Sequence, residues 1–217
     1  MIEPHAFPNA RLIVFAKAPV PGQVKTRLAG QLGVRGAAIL YRQMLWRMLR
    51  IAHVARLCPV ELWCAPDTRH GFFVACRREY GVRLRPQGAG DLGQRMNRAL
   101  NRTLADGHPV VLIGGDCASL GAKELRVPFE YLVAGRAVVL GPAADGGYVL
   151  VGLGQPCPEI FQGIAWGTKT VLEATRRRCA RAGVDWIELS PGWDVDTPAD
   201  LRRLRRIGPL IDEPIMF

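Results

Sequence analysis

Short apolar runs alternate with helical segments along most of the chain. Continuous apolar runs cover residues 12–16, 60–64, 109–114, 137–140, 148–153 and 186–189, and a weaker candidate covers 82–85. Helices are predicted at 36–56, where apolar residues recur at intervals of three and four, and at 70–80, 94–105, 121–134, 168–182 and 198–207. Apolar runs without alternation are typical of strands buried on both faces. The pattern therefore predicts a mostly parallel sheet between two helical layers, a three-layer α/β/α sandwich.

Length and composition favour a single domain. The 217 residues are 49% hydrophobic, which is enough for a sizeable core, and no repeat or low-complexity linker divides them. We therefore interpret residues 1–217 as one domain. The N-terminus lacks the features of a signal peptide, and no apolar run reaches the length of a membrane span. The six cysteines lack the spacing of a zinc site and are interpreted as reduced core residues, so a cytoplasmic protein is expected.

The formal net charge of +10 favours anionic partners. Much of the excess is arginine in residues 176–181 and 202–206, both within predicted helices. A solvated helix face is the simpler interpretation, because neither stretch carries the interleaved aromatic residues on which single-stranded nucleic acid stacks. No specific nucleic acid is therefore expected as a partner. A non-enzymatic nucleic-acid-binding protein is kept as an alternative hypothesis.

Candidate chemistry is sought in the loops that follow the predicted strands, because ligands of open α/β sheets bind beyond the carboxyl ends of the strands. The first such loop, residues 16–27, carries Lys17, Lys25 and Arg27 around a proline–glycine turn. Cationic side chains and free backbone N–H groups there suit a phosphate chain. The loop is not a Walker A motif, because only Gly22 precedes Lys25.

Residues 88–93 contain a literal G-x-G-x-x-G pattern before a predicted helix, and Asp116 follows at the distance of a ribose-binding acid. This pattern supports a second alternative, a dinucleotide-dependent oxidoreductase. However, the strand before the pattern is short and arginine-rich, and in a Rossmann protein the pattern belongs to the first strand–helix turn. The pattern alone is therefore a weak argument for NAD.

Carboxylates mark three further strand-end loops. Asp116 follows the clearest strand, where a carboxylate is costly unless it is paired or bound to a metal. Mg²⁺ or Mn²⁺ shared with substrate phosphates is the natural partner. Asp145 stands before two glycines that allow a ligand to approach the backbone closely. Asp194 and Asp196 lie two residues apart in an extended segment, so either could complete a metal site with Asp116, although a helix N-terminus also favours acidic residues.

Five motifs resemble those of a known family in order and spacing. They are FAKAPVPGQVKTRL (15–28), QGAGDLGQRM (87–96), GGDCASL (114–120), GPAADGGYVLVGL (141–153) and DVDTPADL (194–201). The resemblance is to the bacterial DUF2064 group of GT-A-like transferases, also called rSAM/selenodomain-associated transferase 1. This group is distantly similar to MobA-like and 2-phospho-lactate guanylyltransferase nucleotidyltransferases. The resemblance covers residues 11–204, implies a GT-A-like (nucleotide-diphospho-sugar transferase) fold, and explains the glycine pattern as a family motif.

The resemblance also implies a set of site residues. It assigns a divalent metal, Mg²⁺ or Mn²⁺, to Asp116, with Asp194 or Asp196 as the second ligand. For group transfer, Lys25 and Asp145 are the expected catalytic residues, Lys25 to neutralise the departing phosphate and Asp145 to orient the acceptor or act as its base. The expected nucleotide contacts are Ala16, Lys17, Gly22, Lys25, Thr26, Arg27, Gln87, Asp91, Arg95 and Asp116, and the expected acceptor contacts are Asp145, Gly146, Gly147 and Trp166.

The activity implied by the resemblance is group transfer from a nucleotide. A glycosyltransferase that uses a nucleotide-sugar is the first expectation, and a nucleotidyltransferase that uses an NTP and releases pyrophosphate is the alternative. The chain departs from the family in two places that bear on the acceptor and the metal. It has Gly115 and Ala118-Ser119 where the family usually reads GTDCP, and Trp166-Gly167-Thr168 where the family commonly reads WST. The sequence does not specify the base, sugar, acceptor or oligomeric state.

Overall fold

The computed structural model describes residues 4–207, apart from the side chain of Ile207. The strands in this range are Arg11–Lys17 (β1), Val60–Ala65 (β2), Arg83–Pro86 (β3), Val110–Gly114 (β4), Val138–Pro142 (β5), Tyr148–Leu153 (β6) and Trp186–Glu188 (β7). The α-helices are Ala29–Ala55 (α1), Gly71–Tyr80 (α2), Leu92–Ala105 (α3), Ala122–Val133 (α4), Val171–Arg181 (α5) and Pro198–Ile207 (α6). Short 3₁₀ helices cover Thr26–Leu28 and Pro158–Phe161.

The strands form one sheet in the order β3-β2-β1-β4-β6-β5-β7. β6 runs antiparallel to its neighbours β4 and β5, and the other adjacent pairs are parallel. The expected mostly parallel sheet is therefore confirmed. The reversal at β6 has a simple cause: the connection from β5 spans only residues 143–147, and a parallel crossover needs a dozen residues or more.

Helices cover both faces of the sheet. Leu12 and Val14 of β1 pack in a cluster with α1, α2 and α4, whereas Ile13 and Phe15 pack in a cluster with α3, α5 and the second 3₁₀ helix. Each of these four side chains is at most 9% exposed. The unbroken apolar run of β1 is thus explained, because both faces of the strand need apolar side chains. The predicted three-layer α/β/α sandwich is confirmed.

The first helix is longer than its periodicity indicates. The pattern predicts a start at Gly36, but α1 begins at Ala29 and kinks at Gly33, where φ is 68° and ψ is 163°. Three glycines lower the helix propensity of these first turns, so they carry little local signal. Tertiary packing holds them instead, since a separate apolar cluster joins this end of α1 to Leu201 and Leu204 of α6.

The two arginine-rich stretches lie on α5 and α6, as predicted, and some of their charge is engaged within the protein. Arg176 donates two hydrogen bonds of 2.7 Å to the Glu188 carboxylate. The guanidinium of Arg203 lies 4.2 Å from the ring centroid of Trp193. These contacts within the protein explain part of the positive charge on each helix without a partner molecule.

Two further expectations concern cysteines and membranes. All six cysteines are free and buried, which agrees with their interpretation as reduced core residues. None of the helices in the described part of the chain combines the length and the apolarity that a membrane crossing requires.

Candidate functional site

A cleft of about 600 Å³ opens beyond the carboxyl ends of β1 and β4. The chain turns to opposite sides of the sheet at this point, since β2 and β3 lie on one side of β1 and β4 lies on the other. Open α/β sheets bind ligands at such a switch point. The cleft is lined by the segments that follow β1, β3 and β4 and by residues of α1 and α3.

The cleft brings together residues that are far apart in the sequence. Nine of the predicted site residues line it: Ala16, Lys17, Lys25, Thr26, Arg27, Gln87, Arg95, Asp116 and Asp196. Five lining residues were not predicted: Phe15, Gln23, Val24, Tyr41 and Leu92. Its lining does not include the remaining predicted residues, which are Gly22, Asp91, Asp145, Gly146, Gly147, Trp166 and Asp194.

A neighbouring cavity of about 610 Å³ extends the cleft past the end of β2. The two cavities share Lys17, Gln23 and Arg95, and the second one reaches Pro66 and Gly88. Small-molecule sites commonly have volumes of about 300–1,000 Å³. Together the cavities therefore offer room for a whole nucleotide, with Lys25 and Arg27 in the first cavity and Lys17 and Arg95 where the two meet.

Lys25 is a buried cation that contacts two carboxylates of the cleft. Its ammonium lies 2.6 Å from Oδ2 of Asp116 and 3.7 Å from Oδ1 of Asp196, and its side chain is only 5% exposed. Burial by itself would lower the pKa of Lys25, but Asp116, Asp196 and Asp194 raise it above its ordinary value, so the side chain remains a cation. Its backbone is left-handed, with φ 48° and ψ 40°. A non-glycine residue keeps this conformation only where its surroundings hold it.

The two carboxylates that the sequence leaves as alternatives have different surroundings. Asp196 accepts a hydrogen bond of 2.7 Å from Arg27. The backbone of Asp194 forms a β-bridge with Cys117, next to Asp116 in the loop after β4. Burial and then the charge of Asp116 raise the pKa of Asp194 to about 6. Among the residues that the structure describes, Asp194 forms no ion pair, so it is the carboxylate that lacks a direct counter-charge.

Two buried polar side chains hold the strand ends that form the cleft. The Tyr41 hydroxyl accepts a hydrogen bond of 2.9 Å from the backbone N–H of Lys17, and burial raises the pKa of Tyr41 so that it stays neutral. The Gln87 amide donates to the carbonyls of Ala16 (3.0 Å) and Trp63 (2.9 Å). Gln87 therefore ties β1 to β2 while also lining the cleft. Tyr41 had no local signal in the sequence, because it lies within the apolar pattern of α1.

The glycine pattern at 88–93 starts α3 and follows β3, which is an edge strand and not the first strand of the fold. The pattern is therefore not in the first strand–helix turn, where the dinucleotide-binding pattern of a Rossmann protein lies. Asp91 is the N-cap of α3 and forms a capping box with Gln94, with hydrogen bonds of 2.8 and 3.0 Å. Arg95 donates 2.7 Å to the carbonyl of Gly90 and also lines the cleft. Asp91 thus has a structural role in helix initiation, whereas Arg95 faces both loop and cleft.

The residues expected at the acceptor lie in neighbouring loops. Asp145 is exposed and accepts a hydrogen bond of 3.0 Å from the backbone two residues further on. Gly146 has φ +91°, and a Cβ there would overlap the carbonyl oxygen of Lys169. A Cβ at Gly93 would overlap the indole of Trp166. Close backbone packing therefore locks the loop that carries Asp145 onto residues 164–170, and Trp166 in turn packs on the start of α3.

Gly115, one of the departures from the family pattern, has a structural explanation. A Cβ at this position would lie 2.5 Å from Cδ1 of Leu45, which is fully buried. Leu45 of α1 therefore fills the space that a larger residue beside Asp116 would need. The packing around residue 115 therefore suits glycine and leaves no space for a side chain.

The donor atoms near Asp116 suit a hard divalent cation, which prefers carboxylate oxygens. Within residues 4–207, however, no group of three or more Asp, Glu, His or Cys side chains is close enough together to hold a metal. Mg²⁺ commonly takes one or two carboxylates from the protein and completes its shell with water and substrate phosphates. Asp116 and Asp194 fit that kind of site, but they do not form a cage that binds metal without a substrate.

Several solved structures share this fold. A protein from Desulfovibrio desulfuricans G20, provisionally named a nucleotide-diphospho-sugar transferase, is 30% identical and has a TM-score of 0.84, with 93% of this chain and 88% of that chain covered. A nucleotidyl transferase from Methanothermobacter has a TM-score of 0.62 at 16% identity, covering 92% and 97%. CMP:2-keto-3-deoxy-manno-octonic acid synthetase, complexed with CTP, has a TM-score of 0.54 at 11% identity, covering 92% and 98%. No curated protein matches the sequence of this chain.

These likenesses confirm the expected fold, and the likeness to the 30% identical D. desulfuricans protein confirms the expected enzyme class, a transferase. A family model described as an uncharacterized protein conserved in bacteria (DUF2064) matches residues 48–168. The matched range contains the glycine pattern, Asp116 and Asp145, and it begins after the loop that carries Lys25. The likeness to the D. desulfuricans protein covers 93% of the chain and therefore extends well beyond residues 48–168 at both ends. The chain belongs to the DUF2064 family.

Proposed function

We propose that the protein transfers a sugar from a nucleotide-diphospho-sugar to an acceptor, with Mg²⁺ or Mn²⁺ held at Asp116. The observation that carries this proposal is the cationic cleft at the switch point, where Lys25 is paired with Asp116 and Lys17, Arg27 and Arg95 line the same space. Cationic donors and a divalent metal held by one or two carboxylates are common partners of a diphosphate group. The likeness to the D. desulfuricans protein supports a nucleotide-diphospho-sugar as the donor.

The surroundings of each residue support a division of roles. Lys17, Lys25 and Arg27 bind the phosphates, and the adjoining cavity beyond Gln87 receives the nucleoside. Asp194 is the better second metal ligand, because Asp196 is already engaged by Arg27. When bound, the divalent ion supplies positive charge to the phosphate oxygens of the leaving group.

The reaction is a displacement at the anomeric carbon. An acceptor hydroxyl or amine forms the new bond, the bond from that carbon to the phosphate oxygen breaks, and the electron pair leaves with the nucleoside diphosphate. Lys25 and Arg27 stabilise the negative charge on the departing phosphate. Asp145 takes the proton from the acceptor; its side chain is exposed, and its charge is one of those that raise the pKa of Asp194, the proposed second metal ligand. Gly146, Gly147 and Trp166 form the acceptor side.

Nucleotidyl transfer is the second candidate, favoured by the fold shared with a nucleotidyl transferase and with a CTP-bound synthetase. In this reaction the acceptor attacks the α-phosphorus of an NTP, and the bond to the departing pyrophosphate breaks. The same cationic side chains would stabilise the leaving group. The product distinguishes the two reactions, since one releases a nucleoside diphosphate and the other releases pyrophosphate.

A thermal unfolding screen with NTPs, nucleotide-sugars and NAD, each with Mg²⁺ or Mn²⁺, tests the proposal. A ligand present at a hundred times its dissociation constant stabilises the native state by about 2.7 kcal/mol. We expect a nucleotide-sugar or an NTP to give such a shift and Asp116→Asn to abolish it. Asp106→Asn is the control, because Asp106 is exposed at the far end of α3.

The proposal fails if neither nucleotide class stabilises the protein with either metal and Asp116→Asn changes nothing. A shift with NAD alone would favour an oxidoreductase. Binding of DNA or RNA that weakens steeply between two salt concentrations, without any nucleotide effect, would favour the nucleic-acid binder.

A further inference from the structure

The pairing of Lys25 with Asp116 has a consequence for metal binding that rests on the proposed function. The ammonium nitrogen is 2.6 Å from the carboxylate oxygen. A Mg²⁺ ion on the same oxygen would lie about 2.1 Å from it and therefore within about 5 Å of the ammonium. The Lys25 side chain is almost wholly buried, so little water separates the two cations to screen their repulsion. Lys25 and a metal therefore compete for Asp116.

The charges around the pair favour exchange of one cation for the other. The charges of Asp116 and Asp194 both raise the pKa of Lys25. Asp196 forms ion pairs with both Lys25 and Arg27. One ammonium neutralises only one of the two carboxylates Asp116 and Asp194. A divalent ion would neutralise both and would leave the ammonium free for the phosphates of an incoming nucleotide.

The backbone at Lys25 is suited to such an exchange. Lys25 has a left-handed conformation at the N-cap of the 3₁₀ helix Thr26–Leu28, and its own side chain does not cap that helix. Strained residues of this kind persist where tertiary contacts hold them and are common at switch sites. The shortest ion pair that holds the Lys25 side chain is the one to Asp116 in the loop after β4, so loss of this pair removes one of the contacts that keep residue 25 in its strained conformation.

We infer that the Lys25 ammonium occupies the cation position at Asp116 in the nucleotide-free protein, and that the divalent metal binds there only when Lys25 moves to the nucleotide phosphates. Metal alone then binds weakly, and metal and nucleotide bind together. Lys25 acts as a stand-in cation before substrate arrives and as a phosphate ligand afterwards.

Mn²⁺ binding to the nucleotide-free protein, followed by the electron paramagnetic resonance signal of free Mn²⁺, tests this inference. We expect Lys25→Met to bind Mn²⁺ about tenfold more tightly than the wild type. This change corresponds to a wild-type protein in which the Lys25–Asp116 ion pair is open, and Asp116 is available to metal, in about a tenth of the molecules. Lys17→Met is the matched control, because it removes one positive charge from the same cleft but has no ion pair with Asp116 within the described residues. We expect it to change the affinity less than about twofold.

Lys25→Gly provides a second variant, since glycine adopts the left-handed conformation without strain and also removes the ammonium. Both Lys25 variants should show tighter Mn²⁺ binding, together with weaker binding of the metal–nucleotide complex. Unchanged or weaker Mn²⁺ binding in both variants overturns the inference, and so does an equal gain in Lys17→Met. This failure is distinct from failure of the proposed function, in which the wild-type protein binds no nucleotide with any metal.

Discussion

Gly115→Ala is expected to destabilise the protein and to disturb the loop that carries Asp116. The added methyl group would lie 2.5 Å from Cδ1 of Leu45 and 3.5 Å from the carbonyl oxygen of Phe15. Leu45 belongs to the buried cluster under α1 and is 0% exposed, so it cannot turn into solvent to make room. Overpacking a filled core costs about 1–3 kcal/mol. We expect a loss of unfolding free energy in that range.

The second change in this test is Leu45→Val, which removes the atom that would clash. By itself it deletes one buried methylene group and should cost about 1 kcal/mol. Because the new methyl group and Cδ1 of Leu45 compete for one space, the double variant should be more stable than the sum of the two single losses by at least about 1 kcal/mol. Urea unfolding of the four proteins measures this coupling energy, provided that the denaturant slope stays constant.

Gly30→Ala serves as the control for the added methyl group. Gly30 lies in the first turn of α1, and a Cβ there would have no neighbour within 4 Å in the part of the chain that the structure describes. Its effect should add to that of Leu45→Val within about 0.5 kcal/mol. If Gly115→Ala and Leu45→Val were also additive within this margin, the reasoning that Leu45 fills the missing side-chain space would be refuted.

Three further predictions each concern one contact. Gly146→Ala should cost about 2 kcal/mol more than Gly107→Ala, because both sites have positive φ (+91° and +79°) but only the first methyl group would overlap another backbone atom; urea unfolding of both variants measures the difference. Gln87→Leu should cost about 2–4 kcal/mol in the same assay, because two strand-end carbonyls lose a buried donor. Glu188→Gln should cost about 0.5–1 kcal/mol at pH 7. Hydrogen bonds from Arg176 lower the pKa of Glu188, so this contribution is present above the ordinary glutamate pKa and is lost as the pH falls through the lowered value, which a pH series of unfolding curves checks.

Each of these predictions has a contrary outcome. Equal losses at Gly146 and Gly107 would mean that residues 164–170 move aside without cost. A loss below about 1 kcal/mol for Gln87→Leu would mean that water replaces the amide donor. A gap between wild type and Glu188→Gln that widened below pH 4 would contradict the direction of the Glu188 pKa shift.

Most of the fold could be predicted from local patterns. The apolar run of β1 indicated burial on both faces, and its two faces do contact different helical layers. The start of α1 could not be predicted, because its glycines weaken the helical signal and contacts with α6 hold its first turns. The direction of β6 follows from a short connection, a signal that was in the sequence but was outweighed by the expectation of parallel strands.

The candidate site was predictable as a set of residues but not as an arrangement. Lys25 and Asp116 could each be identified, because a basic proline–glycine loop and a carboxylate at the end of an apolar strand are local features. Their pairing depends on β4 lying beside β1, which is a property of the strand order. Tyr41 and Leu45 had no local signal at all, since a helix residue that reaches a loop cannot be told from an ordinary core residue.

By itself the sequence determined the three-layer class, the basic loop and the acidic strand ends, since hydrophobic period and loop chemistry are properties of neighbouring residues. Only the tertiary structure decided that the Lys25 ammonium lies on Asp116, that Asp194 has no direct counter-charge within residues 4–207, and that Gln87 and Tyr41 hold strand ends. The physical reason is that burial and Coulomb energy depend on distances between residues that are remote in the chain, and those distances exist only once the sheet has formed.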